Sequence, residues 1–87
     1  MRRQSTLLNR ILRGTSDANI AFEDLRPLLK RVGFAERMRG DHYIFTKAGV
    51  AEILNLQPQG SQAKAYQVKQ VRGVLVRYQL AGDAHEK

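Results

Sequence analysis

The sequence contains no cysteine and no tryptophan, only two prolines, and eight acidic residues against fifteen Lys and Arg. Without cysteine there is no disulfide framework, no thiolate metal site and no cysteine nucleophile, which agrees with a reducing, cytoplasmic setting. Apolar runs are only a few residues long, far short of the roughly 18–20 needed to span a bilayer. Met1-Arg2-Arg3 is basic, but no apolar segment follows, so no signal peptide is expected. The 87 residues allow one domain, spanning 1–87, with no room for a second core or a large enclosed pocket. Secreted mini-protein, membrane protein, zinc module and large-pocket enzyme are thereby set aside.

What is present is positive charge. The net formal charge is +7. Arg2, Arg3, Arg10 and Arg13 open the chain, Arg37 and Arg39 lie in its middle, and Lys64, Lys69, Arg72 and Arg77 mark its last long segment. A field of this sign attracts polyanions, nucleic acid foremost, and equally the acidic surface of a partner protein.

Hydrophobic spacing sets the elements. Leu7, Leu8, Ile11 and Leu12 form a helical stripe over about 5–14, with Ser5 or Thr6 as the cap and Gly14 as the stop. A polar linker, Thr15 to Asn19, follows. Leu25, Leu28, Leu29 and Val32 predict a second helix from Phe22 or Asp24 to Val32, ended by Gly33. Pro27 is harmless only in a first turn, so Asp24 is expected near the N-cap, or else a kink. The period then changes to that of strands. Phe34 to Arg39 sets Phe34 and Met38 against Arg37 and Arg39, and Asp41 to Thr46 forms a second strand after Gly40. Lys47-Ala48-Gly49 reads as a tight turn into a third strand over Val50 to Leu56, and Gln57 to Gln62 as a loop. A last helix over about Lys64 to Leu80 buries Val68, Val71, Leu75 and Tyr78. It carries a costly interior Gly73, to be offset by a close packing contact or left as a weak point. Residues 81–87 read as a mobile polar tail.

The fold class expected is α+β: a three-stranded antiparallel sheet with helices on one face, an extra N-terminal helix, a core over about 20–80, and an open second sheet face. His85 falls in the tail beside Glu86. His42 opens the second strand, and if Tyr43 and Phe45 face the helices, His42 faces outward, with Arg37 and Arg39 reaching the same side and Ile44 beside them. An imidazole exchanges protons near neutral pH. RNA carries its own nucleophile, the 2′-hydroxyl, so its cleavage needs a base, an acid and cations around the phosphate. By itself, one surface histidine is more often only a surface residue. No carboxylate or His cluster fits a metal, no Ser–His–acid set stands out, and the glycines form no phosphate loop. No cofactor is expected.

Phe22-Glu23-Asp24-Leu25, Leu28-Leu29, Val32-Gly33-Phe34 and then Arg39-Gly40-Asp41-His42-Tyr43-Ile44-Phe45, followed by a basic C-terminal helix, resemble the HicA toxins over roughly Ile20 to Leu80. That resemblance implies a fold like the double-stranded RNA-binding domain, an mRNA interferase activity within a type II toxin–antitoxin pair, and a HicB-type antitoxin as partner. It makes His42 the catalytic histidine and Gly40 the motif glycine. Asp41 stands where serine is commoner and could weaken phosphate binding or orient His42. Tyr43 replaces a frequent second histidine. The expectation is therefore a metal-independent endoribonuclease in which His42 moves the proton. Arg37, Arg39, Gly40, Lys69 and Arg72 are to hold the RNA, with Asp41 and Tyr43 as auxiliaries. Its rivals are a non-catalytic RNA-binding module and a domain whose charge serves only an acidic protein.

Overall fold

The structure, a computed structural model, describes residues 2–80, with side chains from Thr6 onward. The tail over 81–87, His85 included, lies outside the described residues. The elements are α1 (Arg2–Arg13), a 3₁₀ turn (Asp17–Asn19), α2 (Phe22–Val32), β1 (Ala35–Arg39), β2 (His42–Thr46), β3 (Leu54–Leu56), β4 (Pro58–Gln59), β5 (Gln62–Ala63) and α3 (Ala65–Arg77).

The expected α+β architecture is present, with β1, β2 and β3 in one antiparallel sheet in that order. A second, smaller sheet was not foreseen. The supposed loop after Gln57 folds as a tight hairpin in which Gln59 pairs with Gln62. Its second strand is joined to the entry of α2, where Ala21 bridges Gln62 and the Ala63 amide donates to the Ile20 carbonyl at 2.8 Å.

Alternation decides the two sheet faces. Phe45, Leu54 and Leu56 point inward and are buried with Leu25, Leu28 and Leu29 of α2 and Val68, Val71 and Leu75 of α3. Burial of each such side chain is worth about 1.5–3 kcal/mol. α1 adds Leu7, Leu8 and Ile11 to the same cluster and packs against α2 and α3. Ala35, Arg37, Arg39, His42, Ile44, Thr46 and Asn55 point the other way, and every one is exposed or half-buried. Met38 shares the inward side but is 54 % exposed, because it stands on an edge strand near the β1–β2 turn, where only Phe34 at the far end reaches the core.

Several boundaries move for identifiable reasons. α1 begins at Arg2, so Ser5 and Thr6 lie within the helix and not at its cap. Its end is as expected. The Gly14 amide donates to the Arg10 and Ile11 carbonyls, its φ is +74°, and a Cβ there would stand 3.1 Å from the Arg72 guanidinium. α2 is capped by Ala21 and not by Asp24, which places Pro27 beyond the first turn. The Glu23 carbonyl thereby loses its helical partner. Both Glu23 and Pro27 are exposed, so water can take that bond.

The third strand shrinks to Leu54–Leu56. A turn closes as the Val50 amide donates to the Lys47 carbonyl at 3.0 Å, and the next residues are drawn to the end of α3. There the Tyr78 hydroxyl donates to Glu52 at 2.6 Å and receives the Ala51 amide at 3.4 Å. Gly73 is exposed, with nothing within 4 Å of a Cβ placed on it, so no packing contact offsets its cost.

Candidate functional site

The β1–β2 turn builds the site. Arg39 pairs with His42 across the hairpin, leaving Gly40-Asp41 as a two-residue connection. Gly40 takes φ +63°, the region that the first position of a II′ turn requires and that a side chain disfavours. Paired residues lie on one face with Cβ atoms about 4.5–5.5 Å apart, so Arg39 and His42 are immediate neighbours. Arg37 pairs with Ile44, and Ile44 with Asn55, which sets Arg37 and Asn55 on that face too.

The His42 side chain is 45 % exposed. Its Nδ1 lies 2.8 Å from the Asn55 side-chain oxygen, and its Nε2 lies 3.7 Å from an Asp41 carboxylate oxygen. Asp41 is held from its other oxygen by the Gln57 amide at 3.1 Å, and the Gln57 oxygen accepts from Lys64 Nζ at 3.2 Å. The imidazole thus ends a chain of polar groups running from the start of α3, through the loop after β3, to the hairpin turn.

Among the described residues, the acids outside this face are committed elsewhere and leave its two arginines without an ion pair. Glu36 accepts from Arg26 at 2.6 Å and pairs with Lys30 at 3.0 Å, and Glu23 takes another nitrogen of Arg26 at 2.9 Å. Glu36 is consequently pulled below the usual carboxylate range, first by the Arg26 hydrogen bond. Glu52 is lowered chiefly by the Tyr78 hydroxyl, with Arg77 adding a pair at 3.4 Å. Neither Arg37 nor Arg39 makes an ion pair or side-chain hydrogen bond with another described residue. Among the described residues, Asp41 at the hairpin turn is the one carboxylate beside this face.

Not every residue singled out from sequence joins this group. Tyr43 faces the opposite layer, edge-on to Phe22 with ring centroids 4.9 Å apart and with the Arg26 guanidinium 4.6 Å from its ring centre. Arg72 is committed to the helical side, donating to Asp17 at 2.9 and 3.2 Å and to the Ile11 carbonyl at 3.0 Å. Lys69 is exposed on α3, whose buried face covers the inner side of the sheet. The lysine that α3 brings toward His42 is Lys64. Asn55 and Gln57 were missed in the sequence, and Lys64 was read there only as one cation of the basic last segment. Alternation through Leu54-Asn55-Leu56 does put the lone polar residue outward, but its partner depends on the register of β2 against β3.

Among the described residues no group of three or more His, Asp or Glu side chains is arranged to hold a metal ion, and no helix is long and apolar enough to cross a membrane. Comparison with protein-family models, with curated proteins and with solved structures gives no match to this chain.

Proposed function

We propose that this protein is an endoribonuclease toxin of the HicA type that cleaves RNA by attack of its own 2′-hydroxyl. The single observation that carries the reading is a half-exposed imidazole directly across the hairpin from Arg39, on a sheet face whose two arginines have no partner among the described residues. His42 accepts the 2′-hydroxyl proton. The 2′-oxygen bonds to phosphorus, the bond from phosphorus to the 5′-oxygen breaks, and that oxygen leaves with a proton from water. The imidazolium then returns its proton to solvent. Arg37 and Arg39 stabilise the charge that grows on the non-bridging oxygens. Because the ribose supplies the nucleophile, the step requires no metal or cofactor.

A face that attracts phosphate also attracts carboxylates, so an acidic antitoxin of the HicB type is the partner proposed, silencing the site by covering His42. The compartment proposed is the cytoplasm, where mRNA is available.

The test is cleavage of RNA by the wild type and by His42→Ala, with both melting profiles measured. The expected result is fragments ending in a 2′,3′-cyclic phosphate and a 5′-hydroxyl, lost in His42→Ala at unchanged melting temperature. Full cleavage by purified His42→Ala refutes the role. A wild type that retains RNA without cutting it would instead make this a binding module for A-form RNA.

A further inference from the structure

We infer that Asn55 is the positioning residue of this site: its side-chain oxygen holds the His42 ring with hydrogen on Nδ1 and so leaves Nε2 bare for the substrate. The inference rests on the reading of His42 as the base. An amide oxygen carries no hydrogen, so in the 2.8 Å contact the ring nitrogen must be the donor. A neutral imidazole has one hydrogen to place, and placing it on Nδ1 makes Nε2 the nitrogen with the free electron pair.

The rest of the site keeps that pair available. Among the described residues Asp41 is the one carboxylate near Nε2, at 3.7 Å, beyond a hydrogen bond. The Gln57 amide holds its second oxygen at 3.1 Å, and Lys64 fixes the orientation of Gln57 at 3.2 Å. Asp41 is thus held away from the ring, close enough to face the imidazolium once a proton has arrived.

Asn55 is itself held. The Gln67 side chain, 5 % exposed, donates to the Asn55 carbonyl at 3.2 Å and accepts from the Gln57 amide at 3.0 Å. One side chain of α3 therefore grips the β3 backbone on both sides of Leu56. The outward Asn55 side chain rises from a strand clamped from the opposite layer. Without such a contact, an exposed histidine in water favours the other tautomer, with hydrogen on Nε2 and no base at the position that Asn55 exposes.

The experiment reads the tautomer directly. The full chain is labelled with ¹⁵N and long-range proton–nitrogen correlations of the neutral imidazole are recorded, for wild type, Asn55→Ala and Asn55→Asp. Hydrogen on Nδ1 is expected in the wild type. Asn55→Ala is expected to turn to a mixture dominated by hydrogen on Nε2, and Asn55→Asp to keep the wild-type pattern, since a carboxylate also only accepts. In parallel, Asn55→Ala should lose at least about tenfold in kcat on RNA with KM within about twofold, and Asn55→Asp should recover part of the loss. Hydrogen on Nε2 in the wild type, or an Asn55→Ala spectrum identical to wild type, overturns the assignment even if RNA is cleaved. An inactive wild type with hydrogen on Nδ1 overturns the nuclease reading and leaves the Asn55 contact standing.

Discussion

Arg72 on α3 holds Asp17 with both terminal guanidinium nitrogens, at 2.9 and 3.2 Å, and one of them also reaches the Ile11 carbonyl at the end of α1. One side chain thus ties three segments together across a separation of 55 residues to Asp17 and 61 to Ile11. Arg72→Ala should lower stability by about 1.5–3 kcal/mol, because it strands a half-buried carboxylate and a carbonyl. For a domain of this size that is a fall of roughly 6–24 °C in melting temperature. RNA affinity of the folded variant should be unchanged, and calorimetry beside a binding titration checks both.

Arg37→Ala and Arg39→Ala should behave in the opposite way. Neither side chain has a partner within the described residues, so each loss should move stability by no more than about 0.5 kcal/mol. Each should weaken RNA binding and reduce the slope of log affinity against log salt by about 0.7–0.9. A slope unaltered in both variants would remove them from the interface.

Acid sensitivity should centre on Glu36. Its folded pKa is lowered, foremost by the Arg26 hydrogen bond, so folding is favoured while the carboxylate is ionised in both states. That stabilisation is complete above the unfolded carboxylate value, about 4.3, and disappears as pH falls through the lower folded value. Glu36→Gln should cost roughly 1–3 kcal/mol at pH 7 and flatten the loss of stability toward acid. Urea unfolding series at falling pH, with the two curves converging in acid, would show it.

Gly73→Ala should stabilise the protein by about 0.5–1 kcal/mol, since the position is helical, exposed and free of neighbours around a new methyl group. The same change at Gly14 should destabilise it, because φ is positive there and the methyl would press on Arg72. A pair of thermal melts distinguishes the two glycines.

Much of this arrangement was legible along the chain. The stripes Leu7-Leu8-Ile11 and Leu25-Leu28-Leu29-Val32 can be buried only as helices, and Gly14 and Gly33 end them because the chain must then take a positive φ. Gly40 between two alternating segments likewise marks the hairpin that carries His42. The cap of α2 was not legible, since Ala21 has no capping side chain to announce it, and α1 runs upstream of the Ser5 and Thr6 that its apolar stripe suggested as a start. The small β4–β5 hairpin was hidden in a polar stretch whose pairing partner, Ala21, lies far upstream.

Local spacing, then, determined the order of the three helices and of β1, β2 and β3, and set Arg37 and Arg39 opposite Met38 and His42 opposite Phe45, because a side chain's face follows from the period of its own element. Which cation meets which acid was decided only by the packed structure. Arg72 and Lys69 look alike in sequence to Arg37 and Arg39, yet Arg72 closes on Asp17 and Lys69 rides the other layer. Asn55 meets His42 directly, and Lys64 and Gln57 reach it through Asp41. Contacts of that kind depend on register and docking, which join residues distant in the chain, and no local pattern records them.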